Sequence, residues 1–333
     1  MHVRRMFMLR NFFTLGLGAA AFAAGTFVLS ESALAEYPER PITWIVPWGA
    51  GGGTDATSRM LAGLMEQELG VPVNVVNRDG GSGVVGHSAI ANAQPDGYTI
   101  GTVTVEIAMM RHAGLTDLDY SDYTPIGLFN ADPAAFHVRA DSEFDTLPAF
   151  LEAAKADPGK MKASGTGQGG IWHLAMAGLL VESGLAPDTV PWVPSKGAAA
   201  GLQDLVSGGV DIVASSYPEA ASLISAGKVK SLAVMGDEPL ADVPDLPTVK
   251  SETGIDLTVS TWRGLAGPAG LPDDVVARLS TALEAAWKSE EFTAFMAERG
   301  FGKVWLDGPG FGKFMADADA ANGMVMKAAG LAK

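Results

Sequence analysis

The sequence contains no cysteine. That absence excludes disulfides, a thiol nucleophile, cysteine-ligated zinc and the lipid-attachment cysteine of a bacterial lipoprotein. Basic residues are few: 23 Lys and Arg face 38 Asp and Glu, a formal net charge of −15. Such a balance argues against nucleic acid or an anionic membrane as the main partner, so any anion must be held locally. His2, His87, His112, His137 and His173 are the five histidines. None forms H-x-x-x-H or lies at metal-ligand spacing from a carboxylate, and no metal or cofactor is expected. G-x-S-x-G is missing, and no Walker lysine follows the glycines. With 47% hydrophobic and 18% charged residues over 333 positions, the chain has a globular balance, no room for several membrane spans, and length for two domains.

Residues 1–35 have the pattern of a secretory leader. Arg4, Arg5 and Arg10 give a basic start, Phe12 to Leu29 an apolar run, and Ala33-Leu34-Ala35 a small-residue cleavage site. Cleavage after Ala35 removes three arginines and Glu31, a net +2, and takes the charge from −15 to −17. An uncleaved anchor is the alternative, and Arg4-Arg5 leaves twin-arginine export open beside the general route. Without a lipidation cysteine, the mature chain is expected to be free in a periplasm.

Three strand, glycine-turn, helix units follow. The first runs from Ile42–Trp48 through Gly49-Ala50-Gly51-Gly52-Gly53 into a helix from Thr54 to Leu69, ended by Gly70. The second has a strand Val73–Val76, a loop Asn77–Gly83 and a helix through His87 to Ala93. The third has a strand Met161–Ala163, a loop Ser164–Gly170 and a helix Ile171–Glu182. Further strands are expected at Tyr98–Val105, Val190–Val193, Asp211–Ala214 and Ser231–Val234, with helices at Leu147–Ala156, Ala198–Val206 and Pro218–Ala226. Alternation of this kind predicts two doubly wound α/β domains. Residues 36–134 plus 256–333 are assigned to the first and 135–255 to the second. The tail helices Pro272–Lys288, Glu290–Arg299 and Gly310–Ala329 are expected to return to the first.

A helix start offers unpaired N–H groups and the positive end of a dipole, and glycine lets a carboxylate approach closely. Gly49 to Asp55, including Gly51, Gly52, Gly53 and Thr54, and Ser164 to Gly170, including Thr166, Gly167 and Gly169, are therefore candidate anion cradles at strand carboxyl ends. Tight turns are the plainer alternative. Asp55 would repel a bare anion and is expected to orient water or a ligand donor. His173 either contacts a carboxylate or packs and caps; Trp48 is core or cleft wall. Gly165-Thr166-Gly167-Gln168-Gly169-Gly170 also satisfies G-x-G-x-x-G, which keeps a secreted NAD-type oxidoreductase as the rival. No acid closes the following strand Val190–Val193, as a ribose contact requires.

Taken in order, Tyr37-Pro38-Glu39-Arg40-Pro41, Val46-Pro47-Trp48 with Gly51–Asp55, Asn77-Arg78 with Gly80-Gly81, Pro95-Asp96-Gly97-Tyr98-Thr99, Asp157-Pro158-Gly159-Lys160, Ala163–Gly167 through His173-Leu174-Ala175, Ser195-Lys196-Gly197 and Asp242–Thr248 form a specific series. The chain resembles the substrate-binding proteins of tripartite tricarboxylate transporters, the Bug or TctC family, over nearly its whole mature length. The resemblance implies a periplasmic-binding-protein fold, two domains closing on a small carboxylate, and a monomer that delivers it to membrane permease subunits. It also implies that the two glycine cradles hold the carboxylate, partly through water. A receptor feeding a membrane sensor would use the same cleft. Two departures stand out. Many members have serine where this chain has Gly170, which puts more of the polar contact on Thr166 and His173. Members often show Trp-aromatic-Gly where this chain has Trp262-Arg263-Gly264. Arg263 is therefore either a bidentate clamp favouring a di- or tricarboxylate, or a partner in a surface or interdomain salt bridge.

Overall fold

A computed structural model describes residues 37–333; the expected leader and its cleavage site lie outside the described residues. The elements run β1 (Ile42–Val46), α1 (Gly53–Leu69), β2 (Val73–Asn77), α2 (Val84–Ala91), β3 (Thr99–Thr104), β4 (Tyr123–Arg139), α3 (Leu147–Ala156), β5 (Ala163–Ser164) and α4 (Ile171–Glu182). They continue with α5 (Ala198–Ser207), β6 (Ile212–Ser216), α6 (Tyr217–Ser225), β7 (Val229–Val234), α7 (Val249–Thr253), β8 (Ser260–Pro268), α8 (Asp273–Lys288), α9 (Glu290–Arg299), β9 (Lys303–Asp307) and α10 (Gly308–Ala328). No described helix is long and apolar enough to cross a membrane.

Local chemistry sets these elements. Leu61, Met65 and Leu69 bury one face of α1, and the helix stops where Gly70 turns left-handed and its N–H reaches the Glu66 carbonyl. α4 is apolar on every side, and all residues from Ile171 to Leu180 are buried. A helix so composed belongs inside the molecule. The order β2-β1-β3-β8-β4-β6-β5 links all of it, with β7 and β9 also on β4. β1 pairs in parallel with β2 and β3, while β3 meets the returning β8 antiparallel. That return places the tail beside the first strands.

β4 is the long strand that the sequence pattern does not announce. Residues 123–133 pair with β8, and residues 134–139 pair with β6 and β7. Register shifts beside Pro125 and Leu128 accommodate the breakers that disguise it. The expected strand Val190–Val193 shrinks to a single parallel bridge between Trp192 and Ala163. One apolar core gathers Trp44, Leu61, Met65, Leu279 and Leu283 against the first strands. A second gathers Phe136, Phe150, Met176 and Leu179. Burying each such side chain stabilises the fold by about 1.5–3 kcal/mol.

Candidate functional site

The first glycine loop is braced from within. Asp55 accepts from Gly51 N–H at 3.0 Å, Arg59 Nε at 2.9 Å and Asn77 Nδ2 at 2.8 Å. Burial raises this carboxyl, but the bonds from Arg59, Gly51 and Asn77 outweigh it and hold it below the usual carboxylate range. Gly51 has φ +85°, a conformation that glycine adopts at no steric cost. Gly52 precedes α1 in extended backbone and offers no side-chain cap. The cap comes from far along the chain: Gly53 N–H donates to Glu219 Oε1 at 3.1 Å.

The second loop is built alike. Ser164 Oγ donates to the Val193 carbonyl at 2.7 Å, and Ser195 N–H donates to the Thr166 carbonyl at 3.0 Å. Gly169 N–H donates to His173 Nδ1 at 3.0 Å, while the His173 ring stacks on Trp192 with centroids 4.9 Å apart. Desolvation lowers His173 to about 4, so the ring is neutral and braces its own loop. Gly170 stands at the N-cap without a side-chain bond. Again a distant carboxylate completes the helix: Ile171 N–H donates to Glu106 Oε1 at 3.2 Å, and Thr104 Oγ1 donates to Glu106 Oε2. Glu106 is 3% exposed. Burial pushes its carboxyl upward against these hydrogen bonds.

Arg263 lies between the two loops, 1% exposed. Its Nε donates to Thr54 Oγ1 at 3.0 Å, Nη1 to Asp132 Oδ2 at 2.7 Å and to Asn130 Oδ1, and Nη2 to Glu219 Oε1 at 3.3 Å. The guanidinium is thus held by two carboxylates of the protein itself.

Close packing at two glycines seats the second loop against its neighbours. A Cβ on Gly167 would lie 2.4 Å from Ser82 Oγ, and one on Gly165 would lie 2.3 Å from the Ala214 carbonyl oxygen. Because Ala214 is fixed within β6, Gly165→Ala is expected to cost about 2 kcal/mol. Denaturant titration checks this, and unchanged stability would show that the loop yields freely. What remains between the loops is a cavity of about 20 Å³, room for one or two waters.

Trp48, Gly52, Gly53, Thr54, Thr166 and Arg263 line this cavity. Gly51, Asp55, Ser164, Gly167, Gly169, Gly170 and His173 support the loops without lining it. Glu106 and Glu219 line it as well, and sequence reasoning missed both. Ser216-Tyr217-Pro218-Glu219 has the S-x-x-E form of a capping box, which Glu219 makes with its own helix. Glu106 is a lone acid within the apolar run Val103–Met110. Either signal could have been followed.

Residues 57–331 match the model of the TctC family, described as the tripartite tricarboxylate transporter family receptor. The chain belongs to this family. A UPF0065 protein from the tcbD-tcbE intergenic region of Pseudomonas sp. (strain P51) is 33% identical over 276 residues, covering 81% of this chain and 80% of that protein. The solved structure of the periplasmic binding protein BugD is similar at 29% identity and a TM-score of 0.84, covering 89% of this chain and 100% of that one. MatC from Rhodopseudomonas palustris, solved with bound malate, is similar at 25% identity and a TM-score of 0.79, covering 87% of this chain and 99% of that one. TctC-family membership makes this chain an extracytoplasmic solute receptor with the periplasmic-binding-protein fold. The dinucleotide reading of Gly165–Gly170 falls with the enzyme alternative.

Proposed function

We propose that this receptor captures a small carboxylate between two domains, residues 36–134 plus 256–333 and residues 135–255, and hands it to the membrane permease subunits of a tripartite transporter. It acts as a monomer in the periplasm after its leader is cut behind Ala35. The observation carrying this reading is the polar cavity where Thr54 and Thr166, one from each glycine loop, face the same space. Malate bound to the MatC relative supports carboxylate as the ligand class. A molecule of that size exceeds the present cavity, so loading requires the loops to part. Arg263, the basis for expecting a di- or tricarboxylate, is engaged by Asp132 and Glu219, and a clamp would have to draw it from one of them.

A thermal-shift screen of the mature chain against mono-, di- and tricarboxylates tests the proposal. At a hundredfold excess over Kd the bound acid is expected to stabilise the fold by about 2.7 kcal/mol. Indifference to every acid would refute carboxylate capture.

A further inference from the structure

We infer that the ligand of this cleft carries a cationic amine in addition to its carboxylate, an amino acid rather than a bare di- or tricarboxylate. The inference rests on the carboxylate-receptor reading and deepens it.

The ionisable groups around the cavity are Glu106, Glu219 and Arg263. Arg263 is the cation among them, and both its Nη groups are taken by protein carboxylates, Asp132 at 2.7 Å and Glu219 at 3.3 Å. Of the nearby cations, Arg59 pairs with Asp55 and the largely exposed Lys196 with Asp79, while Arg299 lines the adjoining cavity on the other side of Gly52 and Glu219 and does not line this one. A ligand with two or three negative charges would therefore bring its second carboxylate against two buried carboxylates, with no unpaired cation among the residues that line the cavity. An ammonium group meets the opposite situation. Glu106 and Glu219 supply acceptors from two sides, and Trp48 and Trp172 line the same space with aromatic rings, surfaces that attract cations when desolvated.

A separate observation points to a ligand at this place. Thr166 Oγ1 is buried, its residue 5% exposed, and has no hydrogen-bond partner. Buried polar atoms are seldom left unpaired. A Cβ built on Gly170 would lie 3.1 Å from Thr166 Oγ1, 3.2 Å from the Gly167 carbonyl oxygen and 3.4 Å from Glu106 Oε1, so the orphan hydroxyl and the buried carboxylate converge beside the Gly170 backbone, and both residues line the cavity. A ligand carboxylate can accept from the Thr166 hydroxyl while its amine donates to the glutamates. The amine cancels one negative charge, so the occupant is neutral with one carboxylate and singly negative with two, where the matching acid without an amine is more negative by one.

Calorimetry of the mature wild-type chain with ligand pairs differing by the amine tests this: aspartate against succinate, glutamate against glutarate, 4-aminobutyrate against butyrate. The amine-bearing member of at least one pair is expected to bind tenfold or more tightly than its partner. Glu219→Gln is expected to weaken that member tenfold or more while strengthening the dicarboxylate. Should Glu219→Gln fail to fold, the wild-type pairs decide the matter unaided. Binding of succinate, glutarate or butyrate with no amine-bearing member tighter than its partner would overturn the inference and leave the receptor reading intact. Silence from every acid, with or without an amine, would overturn both.

Discussion

Arg263→Ala is expected to destabilise the protein by about 3–5 kcal/mol, the loss typical of breaking a buried ion pair. The guanidinium is held by Asp132, Glu219, Asn130 and Thr54, so truncation leaves two carboxylates in the interior without their cation. Equilibrium denaturation measures the loss. The triple change Arg263→Met with Asp132→Asn and Glu219→Gln is expected to recover much of it, because an uncharged cluster no longer requires a counter-ion. An Arg263→Ala protein as stable as wild type would mean that the cluster is solvated in solution, and would return Arg263 to the role of a free ligand clamp.

The second large effect is acid lability. His87 and His137 are fully buried, and desolvation lowers each from 6.5 to about 4. His87 is fixed as a neutral ring because Nε2 accepts from Thr104 N–H at 3.2 Å while Nδ1 donates to the Gly83 carbonyl at 2.8 Å. His137 Nδ1 meets Ser231 Oγ at 2.9 Å. A histidine with a depressed folded value stabilises fully above its unfolded value, near 6.5, and loses that contribution as pH falls toward about 4. Each should therefore surrender about 2 kcal/mol between pH 7 and 5. Glu106, raised by burial, works the other way and blunts the loss as its carboxyl takes up a proton. Melting temperature followed from pH 7.5 to 4.5 is expected to drop steeply through this window. A flat profile would mean that the histidines open to water without cost.

Much of this architecture is legible in local chemistry. The unit from β1 to α1 is marked by an apolar strand, three consecutive glycines and Gly70 at the helix end, and α3, α4 and α9 have the bounds their periodicity predicts. β4 escapes because Pro125, Gly127 and Pro133 interrupt its pattern, and only partners remote in sequence, in β6, β7, β8 and β9, hold it extended. The site divides in the same manner. The glycine loops are written contiguously, so spacing reveals them. Glu106 and Glu219 reach the loops from elements remote in sequence, and no local window contains both a helix start and the carboxylate that caps it. Arg263 is conspicuous as a residue, yet its partners come from α1, β4 and α6, so whether it is free or engaged is decided by tertiary packing.

The exchange of caps bears on how such a receptor can be inherited. A chain cut anywhere between Glu106 and Ile171 leaves Gly53 and Glu106 on one fragment and Ile171 and Glu219 on the other, so each fragment departs with the carboxylate that the other's helix needs. The halves are therefore not interchangeable modules. Recombination between relatives that lack matching glutamates would pair a bare helix start with an unclaimed charge. New specificities in this lineage should then arise by matched substitutions in both segments, rather than by exchanging one of them whole.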